Sequence, residues 1–409
     1  MKFLHLADLH IGKRVCEHSM LGDQVHILGE VLKVVDAEKP DAVLIAGDVY
    51  DKPVPGAEAV AVLDDFLVKL SRTGVKVFVV SGNHDSAERI AFGARLMQGT
   101  GVYMSPVYSG AFEPVTLQDV SGEVDVWMLP FVRPAMVRAC LESDEERDAV
   151  KDYTSAVKAA LAQMKFTEGR RNVLVAHQFV TGAETSDSEE CVGGLENVDA
   201  SVFEKFDYVA LGHIHKPQNV LKDGDGTVRA RYSGTPLKYS LSEAAHKKSV
   251  TVVELGSAGN AGVAVAGDLF ADSGMHAALQ LREVPLVPLH DVRKIHGTFA
   301  ELVSPEFRNG QVAAGMSLED YVYIELTDEN DISDAAQKLR GIYPNLMMLA
   351  YDNERTRNQK ITVDVEKVEK KSPMQLFGEF FGEMNGREMN GEESEFVQSI
   401  IDGIWEGER

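Results

Sequence analysis

The sequence predicts an α/β fold built around a buried, mostly parallel β-sheet. Residues 42–46 and 75–80 are short, largely apolar runs rich in β-branched side chains, as is typical of strands buried on both faces. Residues 24–38 and 60–70, which precede these runs, carry apolar residues at a helical period. Strands that alternate with helices pair in parallel through right-handed crossovers, so this order favours a parallel sheet covered by helices.

The remaining elements of the first 270 residues follow the same pattern. Residues 3–7 are apolar and predict a strand, and further strands are predicted over residues 172–176 and 208–211. Pro40 ends the helix over residues 24–38, because proline disfavours helical backbone in the residue before it. The apolar positions of this helix are Val25, Leu28, Val31, Leu32 and Val35.

The composition shifts beyond about residue 255. Residues 256–262 are rich in Gly, Ala and Ser and predict a loop inside an edge hairpin. Four later elements indicate a second, smaller αβ domain. They are strands over residues 278–284, 321–326 and 346–349 and a helix over residues 332–342.

The charge of the chain restricts its possible partners. Its 409 residues carry a formal net charge of −23, which is unusual for a nucleic-acid binder, because affinity for phosphate backbones comes mainly from Lys and Arg. Either the substrate is not a polyanion, or bound metal cations and a partner subunit supply positive potential. Composition alone favours the first alternative.

The sequence indicates a cytoplasmic protein. No apolar stretch approaches the roughly 20 residues that a membrane helix needs, and the first residues lead into a charged loop rather than a secretory signal. The cysteines Cys16, Cys140 and Cys191 are scattered without a CxxC pair, which fits a reducing compartment and no disulfide framework.

Metal-binding side chains follow five of the predicted strands, at the point where each strand ends. The carboxyl ends of parallel strands meet at one edge of a sheet, so we expect these side chains to lie close together. Asp8 or Asp48 alone would more often be a helix cap or a turn residue, and a lone His-x-His pair would more often be two surface histidines. The side chains are Asp8, His10, Asp48, Asn83, His84, His177, His213 and His215.

The donor types predict the chemistry of this edge. Seven donors of the set, two carboxylates, one amide and four imidazoles, suit hard or borderline divalent ions of the first transition row. They exceed one tetrahedral site and favour two octahedral ions about 3.5–4 Å apart, bridged by a carboxylate. Such a pair activates water near neutral pH and neutralises charge on phosphorus, so the predicted reaction is hydrolysis of a phosphoester.

Five sequence blocks in this order resemble the calcineurin-like metallophosphoesterase superfamily. They are Asp8-Leu9-His10, Gly47-Asp48-Val49-Tyr50-Asp51, Gly82-Asn83-His84-Asp85, His177 and Gly212-His213-Ile214-His215. Within the superfamily, residues 1–13, 216–218 and 233–240 are similar to the SbcD family of Mre-type nucleases. The resemblance covers residues 1 to about 250.

The resemblance implies an architecture and a ligand set. The expected architecture is a metallophosphoesterase β-sandwich flanked by helices over residues 1–270, a small αβ DNA-capping domain over 271–371 and a helical tail over 372–409. One metal ion would be held by Asp8, His10, Asp48 and His215, and the other by Asp48, Asn83, His177 and His213. Asp48 would bridge the two ions, and the usual metal of the family is manganese.

The resemblance also assigns catalytic roles. His84 would not be a ligand but would face the phosphate as a general acid for the leaving oxygen. Asp51 stands near where some relatives carry a histidine that orients the catalytic one, and its carboxylate could orient His84 instead. Thr235 stands where many relatives have Ser.

The predicted function is that of a metal-dependent DNA nuclease subunit, a double-strand exonuclease and single-strand or hairpin endonuclease in DNA repair, recombination and replication. The resemblance implies an SbcC-like ABC/SMC-type ATPase as partner, duplex ends and hairpins as substrates, and a homodimer within a heterotetramer at the nucleoid. Two other functions stay open. A small-molecule phosphodiesterase or phosphatase would share every ligand, and a non-catalytic scaffold would have lost ligands.

Two stretches late in the chain allow two interpretations each. Arg293, Lys294 and His296 either contact DNA phosphates or belong to a solvated turn.

Residues 372–409 contain nine acidic residues against two Arg, and their apolar residues keep helical spacing. These residues either pack on the chain's own domain or bind the ATPase by a helix-in-groove mode. They are Leu376, Phe377, Phe380, Phe381, Phe396, Val397, Ile400, Ile401, Ile404 and Trp405.

Overall fold

Two six-stranded sheets contain most of the strands in this computed structural model. The structure describes residues 1–187, 189, 197–257 and 276–353, together with scattered positions between 374 and 398. The strands are β1 (Lys2–Leu6), β2 (Arg14–Val15), β3 (His18–Ser19), β4 (Ala42–Ala46), β5 (Lys76–Val80), β6 (Val102–Met104), β7 (Val115–Asp119), β8 (Gly122–Leu129), β9 (Arg171–His177), β10 (Tyr208–Gly212), β11 (Gln218–Lys222), β12 (Val228–Tyr232), β13 (Ser249–Leu255), β14 (Leu279–Pro285), β15 (Val292–Gly297), β16 (Tyr321–Leu326) and β17 (Leu346–Tyr351). The α-helices are α1 (Leu21–Glu38), α2 (Ala57–Thr73), α3 (Ala87–Ile90), α4 (Ala94–Met97), α5 (Pro134–Cys140), α6 (Asp144–Ala149), α7 (Tyr153–Ala162), α8 (Phe299–Leu302), α9 (Pro305–Ala313) and α10 (Ala335–Arg340).

The first sheet has the strand order β14-β13-β1-β4-β5-β6. β1, β4 and β5 run parallel, as the sequence predicted, β6 continues the parallel set although no strand was predicted there, and β13 and β14 add an antiparallel edge. β4 is buried at every position, which explains why residues 42–46 carry no polar side chain.

The second sheet has the strand order β11-β12-β10-β9-β8-β7. Its four central strands are parallel, and the edge strands β11 and β7 are antiparallel to their neighbours. The strands predicted over residues 172–176 and 208–211 are β9 and β10, so they belong to this separate sheet. The single sheet predicted from strand and helix order is therefore two sheets.

The two sheets share a core and are covered by helices, which confirms the expected β-sandwich flanked by helices. Leu44 and Phe78 of the first sheet and Val175 and Tyr208 of the second belong to one buried apolar cluster. A second cluster joins the first sheet to α1 and α2, and a third joins the second sheet to α5 and α7.

In helix α1, the apolar positions predicted from the sequence agree only in part with the side chains that are buried. The helix runs over Leu21–Glu38 and ends where Lys39 adopts a left-handed conformation with φ of 48°, one residue before Pro40. Leu28, Val31 and Val35 face the core as predicted, but Val25 is 53% exposed, because the buried stripe runs through Gln24 and Ile27 instead.

The C-terminal elements agree with the predicted element types. The strands predicted over residues 321–326 and 346–349 are β16 and β17. They join β15 in a three-stranded sheet with the order β15-β16-β17. The helix predicted over residues 332–342 is α10. The strand predicted over 278–284 is β14, which pairs along its length with β13 in the first sheet. Residues 258–262 of the predicted loop lie outside the described residues.

The chain divides into two compact units: residues 1–296, 300–324 and 334–349, and residues 297–299, 325–333 and 350–409. Both six-stranded sheets lie in the first unit. In the second unit, Thr327 N donates to Gly297 O at 3.1 Å and Asp352 N donates to Leu326 O at 2.8 Å. The three-part division at residues 270 and 371 stays a prediction.

Several smaller features are also resolved. Arg293 lies in strand β15 rather than in a turn, and its guanidinium binds Asp320 at 2.8 Å and Gln311 at 2.5 Å. Cys16 and Cys140 are free thiols, and Cys191 lies outside the described residues. Among the described residues, no helix is both long and apolar enough to span a lipid bilayer.

Candidate metal centre

All eight predicted side chains come together at one edge of the sandwich. They follow β1, β4 and β5 of the first sheet and β9 and β10 of the second, at the carboxyl ends of parallel strands. Six of them are buried, although each can carry charge: Asp8, His10, Asp48, His177, His213 and His215. Such a concentration of buried ionisable groups is stable only if they are paired with one another or with a cation.

The loops that carry the site have strained backbones. Asp8, His10, Asp48 and His213 have positive φ values of 53°, 45°, 47° and 109°, which side chains other than Gly rarely adopt. The loops after β1 and β4 brace one another, since Asp8 N donates to Gly47 O at 3.0 Å and His10 N to Asp48 O at 2.9 Å. Strain held in place by such contacts is characteristic of functional sites.

Three glycines let the loops approach one another closely. A Cβ on Gly82 would lie 2.0 Å from Asp48 Oδ1, and a Cβ on Gly212 would lie 1.8 Å from the carbonyl oxygen of Ala46. A Cβ on Gly47 would lie 2.3 Å from His177 Nδ1. Glycine therefore precedes the functional residue in these blocks because no side chain fits there.

Asp85 joins the loops after β4 and β5. Its carboxylate accepts hydrogen bonds from Val49 N at 3.0 Å, Tyr50 N at 2.9 Å and Gly82 N at 2.9 Å. Burial, and next the charge of Asp48, raises the pKa of Asp85 to about 6. The sequence placed Asp85 in a motif without a role, and the structure shows that it fixes the loops that carry Asp48 and Asn83.

Two groups of donors share the Asp48 carboxylate. In site A, defined by His10, His215 and Asp48, the two Nε2 atoms lie 3.1 Å apart and His10 Nε2 lies 3.7 Å from Asp48 Oδ2. Site B is defined by Asn83, His177, His213 and Asp48. There, Asn83 Oδ1 lies 2.9 Å from His177 Nε2 and 3.0 Å from His213 Nδ1, and His177 Nε2 lies 3.4 Å from Asp48 Oδ2.

Asp8 lies beside His177 and His213 of site B and beside the shared Asp48. Its Oδ1 accepts a hydrogen bond from His213 N at 2.9 Å and lies 3.7 Å from His177 Nδ1. Ligand atoms of Asp8, Asp48 and His177 all lie within 4.8 Å of one another, as do those of His10, Asp48 and His84. The predicted residues therefore form one continuous centre.

An unpartnered atom in this centre fits a bound cation. Among the described residues, the buried Asp8 Oδ2 has no hydrogen-bond partner. A buried polar atom without a partner costs about 1–3 kcal/mol, and a metal ion bound to Asp8 Oδ2 would remove that cost. The unpartnered His213 Nε2 does not add to this argument, because His213 faces Asn83 through Nδ1. Carboxylate, amide and imidazole donors are also the ligand types that first-row divalent ions prefer.

The electrostatics of the site also demand positive charge. Burial lowers the pKa of His213 to about 3 and that of His10 well below its usual range, so both rings are neutral and offer lone pairs. Burial also disfavours a charged His177, but the Asp48 carboxylate outweighs it and raises the pKa of His177 to about 9. A proton on His177 or a bound divalent cation would each supply positive charge beside the buried Asp48 carboxylate.

Groups behind the candidate ligands contact two of the imidazole rings. His177 Nδ1 lies 2.8 Å from the carbonyl oxygen of Ala46, and His215 Nδ1 lies 3.2 Å from the buried carboxylate of Glu243. Glu243 was not predicted from the sequence. It lies only three residues beyond the segment 233–240 that carries the family resemblance, but neither periodicity nor a strand end distinguishes it from a solvated acid.

His84 differs from the other histidines of the site. Its side chain is 35% exposed, with Nε2 4.0 Å from Asp48 Oδ2. Its Nδ1 lies 3.2 Å from the main-chain oxygen of Asp51, whereas the Asp51 carboxylate binds Lys13 Nζ at 2.8 Å. Asp51 therefore contacts His84 through its backbone and not through its carboxylate, which was the contact predicted from the sequence.

Comparison with known proteins agrees with this geometry. Residues 1–217, which contain all eight side chains, match the family model described as calcineurin-like phosphoesterase, and residues 288–385 match the model described as type 5 capsule protein repressor C-terminal domain. The SbcD subunit of the nuclease SbcCD from Staphylococcus epidermidis is 27% identical over 413 residues, with 100% of both chains covered. This similarity confirms the resemblance to the SbcD family.

Solved structures with similar chains have low superposition scores. A dimetal phosphatase from Danio rerio is 13% identical, covering 62% of this chain and 92% of that one, with a TM-score of 0.37. The protein TT1561 of Thermus thermophilus is 14% identical, covering 61% and 92%, with a TM-score of 0.36. The family model matches more than half of the residues, and the chain belongs to the calcineurin-like phosphoesterase family.

Proposed function

We propose that this chain is the nuclease subunit of an ATP-dependent DNA repair, recombination and replication complex in the cytoplasm, at the nucleoid. It acts as a double-strand exonuclease and as a single-strand or hairpin endonuclease. The observation that carries the proposal is the Asp48 carboxylate, shared by two groups of metal-binding donors at the edge of the sandwich. Similarity to an SbcCD nuclease subunit along the whole chain supports DNA as the substrate.

Two divalent metal ions, most simply Mn²⁺, would be held by sites A and B. The family resemblance assigns Asp8 to site A, and its Oδ2 is buried without a hydrogen-bond partner among the described residues, so this oxygen is available to a cation. When bound, the ions supply Lewis acidity and neutralise the charge of the phosphodiester. Four bound positive charges in the centre also offset part of the net charge of −23 where DNA approaches.

His84 is the proton donor of this proposal. Its contact with the main chain of Asp51 fixes the ring and assigns the Nδ1 proton, so Nε2 points away from that contact. Its partial exposure sets it apart from the buried ligands and leaves the ring accessible to a substrate. In the imidazolium form, which carries a second proton on Nε2, His84 can donate that proton to the leaving oxygen of the cleaved bond and become the neutral Nδ1–H imidazole.

The proposed ATPase partner would bind the helical tail over residues 372–409. Among the described tail positions, Phe377 and Phe396 are 41% and 65% exposed, so both present apolar surface. An amphipathic helix with such side chains fits a groove on a partner. The αβ region over residues 271–371 would serve as the cap that helps to grip DNA.

Asp48→Ala tests the shared carboxylate. The parent chain is expected to bind two Mn²⁺ ions, and the variant to lose both, because Asp48 serves both sites. Metal analysis after gel filtration measures the stoichiometry, and Asp65→Ala, which changes an aspartate 62% exposed on α2, is the matched control. One ion in the parent chain, or two in the Asp48 variant, would contradict the proposal.

His84→Gln separates the chemistry from metal binding. With Mn²⁺, the parent chain is expected to cleave hairpin DNA and duplex ends, and the variant to turn over about 100 to 10,000 times more slowly, the usual effect of a placed acid. Both metal ions and DNA binding should be retained. His26→Gln, on helix α1, is the control for loss of an imidazole elsewhere.

Three outcomes would overturn parts of this assignment. Loss of a metal ion in the His84 variant would make His84 a ligand, and cleavage at the parent rate would remove it from the chemistry. Metal-dependent cleavage of a small phosphodiester by the parent chain, with no cleavage of any DNA, would favour the small-molecule phosphodiesterase.

Deletion of the residues after Pro373 tests whether the tail binds the proposed ATPase partner. The truncated chain should keep metal-dependent cleavage of a simple phosphodiester, because the metal centre lies before residue 250, and should lose association with an SbcC-like ATPase. A pull-down measures association, and circular dichroism on the same preparation measures folding. A truncated chain that does not fold would show that the apolar stripes belong to its own core.

We also propose a homodimer, formed through the segment that follows His84. Phe92 and Leu96 are 84% and 85% exposed, an unusual arrangement for two large apolar side chains four residues apart. The double variant Phe92→Glu, Leu96→Glu should be monomeric by sedimentation equilibrium, whereas Val120→Glu, at a position fully exposed on the β7–β8 turn, should remain dimeric. A monomeric parent chain, or a double variant that stays dimeric, would exclude this interface.

A further inference from the structure

The segment 233–248 supports site A from behind. Glu243 is fully buried, and its carboxylate lies 3.2 Å from His215 Nδ1 and 2.5 Å from Lys248 Nζ. Lys248 also donates to Thr235 Oγ1 at 2.6 Å and to the main-chain oxygen of His215 at 2.9 Å. The ring and the backbone of one predicted ligand are thus held by a single buried ion pair.

The contact between Glu243 and His215 has a direct chemical consequence. A carboxylate can only accept a hydrogen bond, so His215 carries its proton on Nδ1 and presents the Nε2 lone pair towards His10 Nε2, 3.1 Å away. A carboxylate behind a ligating imidazole fixes the ring orientation and makes the imidazole a stronger donor. Lys248 balances the buried negative charge of Glu243, which would otherwise be costly.

Tyr239 extends the same support to the other imidazole of site A. Its ring lies edge-on to His10 and His215, with centroid distances of 5.7 and 6.2 Å. Its hydroxyl donates to the main-chain oxygen of Leu9 at 2.6 Å. The segment 233–248 therefore contacts both histidines of site A and the loop that carries His10.

Site B is supported in a different way. His177 Nδ1 donates to a main-chain oxygen, that of Ala46, at 2.8 Å. The hydrogen-bond acceptor here is a main-chain carbonyl, and the Asp8 carboxylate lies beyond hydrogen-bond distance of the same nitrogen, at 3.7 Å. The two sites share Asp48 but differ in what stands behind their histidines.

We propose that Glu243 is a positioning residue that sets the metal affinity of site A without setting that of site B. Glu243 acts through His215 and does not itself touch the metal or the substrate. The inference rests on the proposed two-metal function. It adds that the metal affinity of site A can be weakened without weakening that of site B.

The test is a Mn²⁺ titration of the full, metal-free chain. Calorimetry measures the heat of binding, and electron paramagnetic resonance measures the concentration of free Mn²⁺. Glu243→Gln keeps the shape of the side chain and removes its charge. One of the two ions should bind about 10 to 100 times more weakly, the usual effect of losing the group behind a ligand, while the other keeps its affinity. Glu254→Gln, at a side chain 52% exposed on β13, should leave both affinities unchanged.

Equal weakening of both ions, or no weakening of either, would overturn the role of Glu243. A parent chain that binds fewer than two ions would instead overturn the proposed metal centre, so the two failures are distinct. Circular dichroism in EDTA checks folding of each variant. If Glu243→Gln is not recovered folded, the double variant Glu243→Gln, Lys248→Met takes its place, because it removes both buried charges. The expected result and the results that would contradict the proposal are the same for this variant.

Discussion

The need of the buried Asp48 carboxylate for positive charge is the constraint on which the rest of the site depends. Asp48 lies in a strained loop, within 4.0 Å of nitrogen atoms of His10, His84 and His177. Burial and the charge of Asp48 also raise the pKa of Asp8 well above its usual range, since two carboxylates compete for the same positive charge. Divalent cations would satisfy both carboxylates at once and give the unpartnered Asp8 Oδ2 a partner.

The sandwich is required because neither sheet can build the centre alone. Asp8, Asp48 and Asn83 follow strands of the first sheet, whereas His177 and His213 follow strands of the second. Parallel strands in both sheets direct their carboxyl ends to the same edge, so local loops suffice to bring the donors together. The glycines before Asp48, Asn83 and His213 permit the close approach of these loops.

The gathering of the candidate donors at one edge was predictable from the sequence because their signal is local. A polar residue at the end of a buried apolar strand or just beyond it, as at His177 and Asp48, is recognised without knowing which strands pair. The division into two sheets and the place of β14 depend on pairing between distant segments, so local pattern could not give them. Glu243 was missed for the same reason: its contact with His215 spans 28 residues. Val25 lies at a helical spacing but faces solvent, because packing on the sheet selects the stripe through Ile27.

Anomalous diffraction from crystals of the full chain grown with Mn²⁺ tests the central claim most directly. Two peaks are expected, both beside Asp48 Oδ2, one next to the Nε2 atoms of His10 and His215 and the other next to Asn83 Oδ1 and His177 Nε2. A single peak, or two peaks of which one does not touch Asp48, would contradict a centre organised around a shared carboxylate.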